Sequence, residues 1–159
     1  VLAGNDDAIL DDVGPRRLVE RIEIEVPTGG RVFNASSTDI DWSNPTLTTG
    51  EPAHREKFVA QVKESVEVAQ RMNTKTCTIV AGVEARNVPH GVQTAHVVET
   101  LKRASAVCEK SGLVMVLEPL NWRDHPGLFV RYSDHAYAIM KAVNHPCCKI
   151  LFDNLFDKI

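Results

Sequence analysis

The stretch Leu113-Val114-Met115-Val116-Leu117-Glu118-Pro119-Leu120-Asn121-Trp122-Arg123-Asp124-His125-Pro126-Gly127 decides the reading of this chain. Five apolar residues stop abruptly at a carboxylate, Glu118. A proline follows, then a dense polar set: Asn121, Arg123, Asp124 and His125. A buried strand that ends at an acid and opens into a polar loop is how a parallel α/β sheet presents reactive groups at its C-terminal edge. Lys149-Ile150-Leu151-Phe152 followed by Asp153 repeats the pattern. The two acids, Glu118 and Asp153, are expected to share one site.

Working outward, the same alternation of strand and helix recurs. Thr76-Cys77-Thr78-Ile79-Val80-Ala81 is β-branched and apolar and stops at Gly82. Phe58, Val59, Val62, Val66, Ala69 and Met72 fall at spacings of three and four, which predicts a helix from Arg55 to about Asn73. Val97, Val98, Leu101, Ala104, Val107 and Cys108 predict a second helix ending at Ser111-Gly112. Ala136, Tyr137, Ile139, Met140 and Val143 predict a third, with Ser133 as its N-cap and Asn144-His145-Pro146 as its end. The regular βα period argues for parallel strands with right-handed crossovers. Barrels and doubly wound sheets share this signal.

Upstream, Arg21-Ile22-Glu23-Ile24-Glu25-Val26 alternates like a strand, with Glu23 and Glu25 on a solvated or lumen-facing side. Residues 27–54 are rich in Ser, Thr, Asn, Asp, Pro and Gly, with Trp42 as an aromatic anchor, and read as one long loop.

The 159 residues, 43% hydrophobic and 25% charged, suit a single folded domain spanning 1–159 rather than a disordered chain. A net charge of -3 gives no reason to expect nucleic acid or an anionic membrane as partner. No apolar run has the length of a membrane span. The N-terminus carries neither Met nor a basic and apolar leader pattern, so the expectation is no visible signal peptide and a chain that is processed, trimmed or partly represented. Cys77, Cys108, Cys147 and Cys148 match neither a metal knuckle nor a disulfide framework, so reduced buried thiols and a cytoplasmic location are expected.

Leu117-Glu118-Pro119-Leu120-Asn121, followed by Arg123-Asp124-His125-Pro126-Gly127-Leu128-Phe129, resembles the central motif of hydroxypyruvate isomerase-like proteins. These are xylose isomerase-like TIM barrels, a superfamily that also includes ketose 3-epimerases and type IV endonucleases. Cys148-Lys149-Ile150-Leu151-Phe152-Asp153 is similar to the family's next metal-bearing strand. The resemblance covers roughly residues 55–153. It implies a (β/α)8 TIM barrel, of which this sequence holds only about half, since a full one takes roughly 250 residues. An open half-barrel would leave bare sheet edges.

The resemblance also implies one divalent metal, Mg²⁺ or Mn²⁺, at the C-terminal mouth. Glu118 matches a metal-ligating and catalytic glutamate and Asp153 a ligating aspartate. Asn121, Arg123 and His125 are the expected substrate-binding residues: Arg123 and His125 could bind a substrate carboxylate or hydroxyl, Arg123 offering a planar fork to a carboxylate. The implied activity is hydroxypyruvate isomerisation to tartronate semialdehyde. The alternatives are a ketose 3-epimerase and a non-catalytic partial barrel. The implied partner is a small hydroxy-keto acid or ketose, with room for a homo-oligomer.

After Asp153 the family reads x-Tyr-His, whereas this chain has Asn154-Leu155-Phe156, similar to a helical segment found later in such barrels. The expectation is that the sequence joins two pieces there.

Plainer roles stand beside these. Glu118 would also cap a loop or pair with Arg123. Asp153 would also serve as a turn residue. Arg123 and Asp124 would form an ion pair, and His125 would shape the turn before Pro126. His54, His96, His135 and His145 lack a metal-binding spacing; His90 and Glu84 sit in a loop on the expected catalytic face. Trp122 would line a pocket or anchor the loop.

Overall fold

The computed structural model describes residues 46–152. Asp153, Glu23, Glu25, Trp42, the 21–26 strand, the junction after Asp153 and most of the 27–54 loop lie outside the described residues. The order is α1 (Pro52–Met72), β1 (Thr76–Ile79), α2 (His90–Cys108), β2 (Val114–Leu117), α3 (Ser133–Val143) and β3 (Cys148–Ile150). The strands pair in parallel in the order β1-β2-β3, with Cys77 level with Met115 and Leu117 level with Ile150. Successive parallel neighbours joined through helices are βα units with crossover connections.

Three expectations shift at element ends. α1 begins at Pro52 rather than Arg55, because proline's fixed φ suits the first helical position. The tail of the expected 27–54 loop is therefore helical. Tyr132, not Ser133, is the extended residue before α3, and Ser133 is already in the helix. Cys148 opens β3, one residue earlier than the sequence suggests. Both predicted asparagine ends hold. Asn73 and Asn144 are left-handed (φ 53° and 48°) and their backbone N–H groups close the last turns of α1 and α3.

The helices cover one face of the sheet. Cys77 and Ile79 of β1 and Met115 and Leu117 of β2 are buried against Val62, Val97, Leu101, Ala104, Ala136 and Ile139. The residues between them, Thr76, Thr78, Val114 and Val116, are half-buried on the opposite face. The predicted stripes thus meet the core, with two exceptions: Met72 and Tyr137 are 47% and 59% exposed. Met72 is the last residue of α1, past the end of the apolar contact. Tyr137 lies on the outer side of α3, and an amphipathic ring tolerates that position.

Beyond the strands, the connecting loops are joined to one another. Val83, after β1, forms an isolated antiparallel bridge with Leu128, after β2. Glu84 donates its N–H to Gly127 and Phe129 donates to Gly82. Upstream of α1, Leu47 donates to Ala81, and the Thr46 and Thr48 hydroxyls both donate to the Val83 carbonyl. His54 and His96 hold the same segment through the carbonyls of Thr46 and Thr48.

Candidate functional site

Glu118 is the first residue past β2. Its N–H continues the ladder to Ile79 at 3.0 Å, so strand geometry fixes its backbone. By alternation it falls on the Val114–Val116 face, away from the helix-covered core, yet it is only 6% exposed. A buried carboxylate needs partners, since burial without them is costly. That combination, a rigid strand end and a sheltered oxygen donor, is what a catalytic or metal-binding acid requires.

The residues after it form an ordered turn. Asn121 is 6% exposed and uses both ends of its amide. Its Oδ1 accepts from the N–H groups of Arg123 and Asp124, both at 3.0 Å, and its Nδ2 donates to the Asp124 carboxylate at 2.9 Å. Its carbonyl accepts from His125 N–H at 3.1 Å. An Asn side chain bonding backbone two and three residues ahead is an Asx-type turn. Asn121 therefore shapes the loop, whatever else it touches. The expected Arg123–Asp124 ion pair does not form: Asp124 faces Asn121, while the Arg123 guanidinium lies 5.8 Å from the centre of the Trp122 ring. Trp122 is 54% exposed, so it neither anchors the core nor lines a closed pocket. Arg123 is exposed and His125 half-buried beside it.

The neighbouring β1 loop meets this one. Glu84 pairs with Arg131, whose Nη2 donates to the Glu84 carboxylate at 2.6 Å and whose Nε donates to the Leu128 carbonyl at 2.8 Å. His90 is drawn into a ring cluster with Phe129 and His135, at centroid distances of 4.8–5.0 Å. Burial, and then the neighbouring His90, lower the His135 pKa below 6.5, against an opposing pull from Asp134. His145 pairs with Glu109, far along the chain from the motif. Arg131 and Gln93 are the residues sequence reading missed. Neither has a diagnostic spacing, because their roles arise from two loops meeting in space.

A metal would need donors grouped around Glu118. Among the described residues no group of three or more His, Cys, Asp and Glu side chains is placed to hold one. The hard oxygen of a buried strand-end carboxylate fits one ligand of a Mg²⁺ or Mn²⁺ set. The described residues alone do not complete that set, and Asp153 lies outside them.

Solved structures share this architecture. An AP endonuclease, family 2 from Brucella melitensis superimposes with a TM-score of 0.64 at 20% identity, covering 72% of this chain and 43% of that one. A D-psicose 3-epimerase from Clostridium cellulolyticum H10, solved with D-tagatose, gives 0.55 at 16% identity, covering 67% and 38%. At such identities the likeness is one of fold.

In sequence, residues 16–154 match the family model described as xylose isomerase-like TIM barrel, and the chain belongs to that family. A 2-oxo-tetronate isomerase from Cupriavidus necator is 26% identical over 102 residues, which are 64% of this chain. The chain spans 39% of that relative's length.

Proposed function

We propose that this chain supplies the Glu118-bearing part of an isomerase that moves a proton beside the carbonyl of a short 2-oxo-3-hydroxy acid, of the hydroxypyruvate or 2-oxo-tetronate kind. The observation that carries the reading is Glu118 itself: a carboxylate 6% exposed, fixed by the β1–β2 ladder and followed directly by the Asn121-organised turn. The family, and the similarity to a 2-oxo-tetronate isomerase, support it.

The reaction needs a base on carbon, an electrophile on the carbonyl oxygen and little water. For hydroxypyruvate, the C3–H proton leaves as the C2 carbonyl becomes an enediol. A proton then returns to C2 and the C3 hydroxyl becomes the aldehyde of tartronate semialdehyde. A carboxylate held at a strand end can take and return that proton. Glu118 is assigned this part and one metal-ligand position. Asp153, two residues beyond Leu151 in the sequence, is assigned the second ligand position. A divalent Mg²⁺ or Mn²⁺, when bound, would polarise the substrate's vicinal oxygens. Arg123 offers two parallel N–H donors to the substrate carboxylate, and His125 a donor to its hydroxyl.

The test compares the parent with Glu118→Gln on hydroxypyruvate and on 2-oxo-tetronate, with Mn²⁺ present, following product by NMR. The variant is expected to lose ~10²–10⁴-fold in kcat with its circular dichroism unchanged. Undiminished turnover would remove Glu118 from the chemistry. A parent that epimerises neutral ketoses and ignores both acids would favour the 3-epimerase reading instead. Chelation by EDTA is expected to abolish turnover and Mn²⁺ to restore it.

A further inference from the structure

Resting on the reading above, we infer that Gln93 is a positioning residue for substrate capture, acting on the Arg123–His125 turn through the two joined loops. Gln93 lies in the first turns of α2 and is 1% exposed. Its carboxamide is fully used. Oε1 accepts from Ala85 N–H at 2.9 Å, and Nε2 donates to the carbonyls of Ala85 at 3.0 Å and Val88 at 2.7 Å. Bonding both backbone groups of Ala85, the side chain does what a neighbouring strand would do. It thereby fixes a segment that, among the described residues, has no sheet partner of its own on that side.

That segment begins next to Glu84, and Glu84 is where the β1 loop joins the β2 loop. Its N–H reaches Gly127, its carboxylate takes Arg131, and Val83 bridges Leu128. Gly127 and Leu128 follow Arg123, Asp124 and His125 after a single intervening residue, Pro126. Leu120 donates to Val130 across the base of the same loop, so the turn is clamped at both ends. A continuous series of bonds therefore runs from a buried helix residue to the exposed guanidinium proposed to meet the carboxylate. The links are the bonds from the Gln93 carboxamide to Ala85 and from Glu84 N–H to Gly127, joined by the chain itself, so a shift at Ala85 is expected to move the turn that carries Arg123. Gln93 itself is remote from the reacting carbon, so its loss acts on binding more than on proton transfer.

The experiment uses Gln93→Leu, which keeps the size and removes every bond, and Arg131→Gln, a partly exposed site that leaves the core alone. Both are made in a Trp42→Phe background so that Trp122 reports the loop. With hydroxypyruvate and Mn²⁺, KM is expected to rise about fivefold or more in each while kcat stays within about twofold. Acrylamide quenching of Trp122 is expected to change in both. Gln93→Glu, which keeps the acceptor for Ala85 N–H, is expected to fall between the parent and Gln93→Leu. Folded variants with parental KM and parental quenching overturn the inference, as does a fall in kcat with KM unmoved. If Gln93→Leu does not fold, Arg131→Gln decides by the same measures. If the parent turns over neither acid, the proposed reaction fails. Quenching alone then decides the coupling: a changed slope upholds it and an unchanged slope overturns it.

Discussion

Gly82 shows how closely the segment after β1 is fitted against the one before α1. Its φ of +86° is a conformation that L side chains rarely adopt, and a Cβ there would stand 2.6 Å from the Thr46 Oγ1 and 2.7 Å from its backbone Cα. Since backbone cannot swing aside as a side chain can, Gly82→Ala is expected to cost about 1–3 kcal/mol, read as a lower urea midpoint. The thiols make a second residue-scale case. Burial pushes Cys108 to about 12 and Cys148 to about 11, and Cys77 higher still. Because the thiolate is the nucleophile, all four cysteines are expected to react slowly with Ellman's reagent at pH 8 and promptly after denaturation. The buried neutral thiols also stabilise the fold fully below their unfolded value near 9. That contribution is lost as pH rises through 11 and 12, so the thermal midpoint should fall across that window. Glu118 was legible at this scale because a carboxylate directly after an apolar run is conspicuous. The Asx turn of Asn121 was not anticipated, since an Asx turn and a substrate contact call for the same residue type.

Among the elements, periodicity did most of the work. Three helical stripes and three short apolar runs located every described helix and strand, because burial on one face imposes spacings of 3.6 and 2. Element ends were displaced by one to three residues, where capping competes with pattern. Leu101, fully buried in α2 against the strands, is expected to cost about 2–5 kcal/mol when truncated to Ala, measured by chemical denaturation. The contact between α2 and α3 carries a pH signature. His135, in the first turn of α3, packs against the His90 ring, and burial first and then His90 disfavour its charged form, against an opposing pull from Asp134. The lowered pKa of His135 means that the folded state favours the neutral ring. Its stabilising contribution is present above 6.5 and is lost as pH falls through the lowered value. The parent should therefore lose thermal stability between pH 7 and pH 5, and His135→Phe should lose less.

At the scale of the molecule, the βα order and the motif around Glu118 identified the barrel family, and the parallel β1-β2-β3 sheet agrees with it. What stayed hidden in the sequence was the relation between loops. No periodicity links Glu84 to Arg131, or Gln93 to Ala85, because these pairs depend on how adjacent strands bring their ends together. At the candidate site, Glu118 stands out in the sequence, while its expected grouping with Asp153 falls outside the described residues. The Val83–Leu128 bridge has a further consequence for variation. A surface loop that meets no neighbour can lengthen or shorten alone, as an independent unit. Here an insertion between Gly82 and Glu84 would slide the partner segment out of register, so the two loops must be inherited, or transplanted into another scaffold, as one cassette.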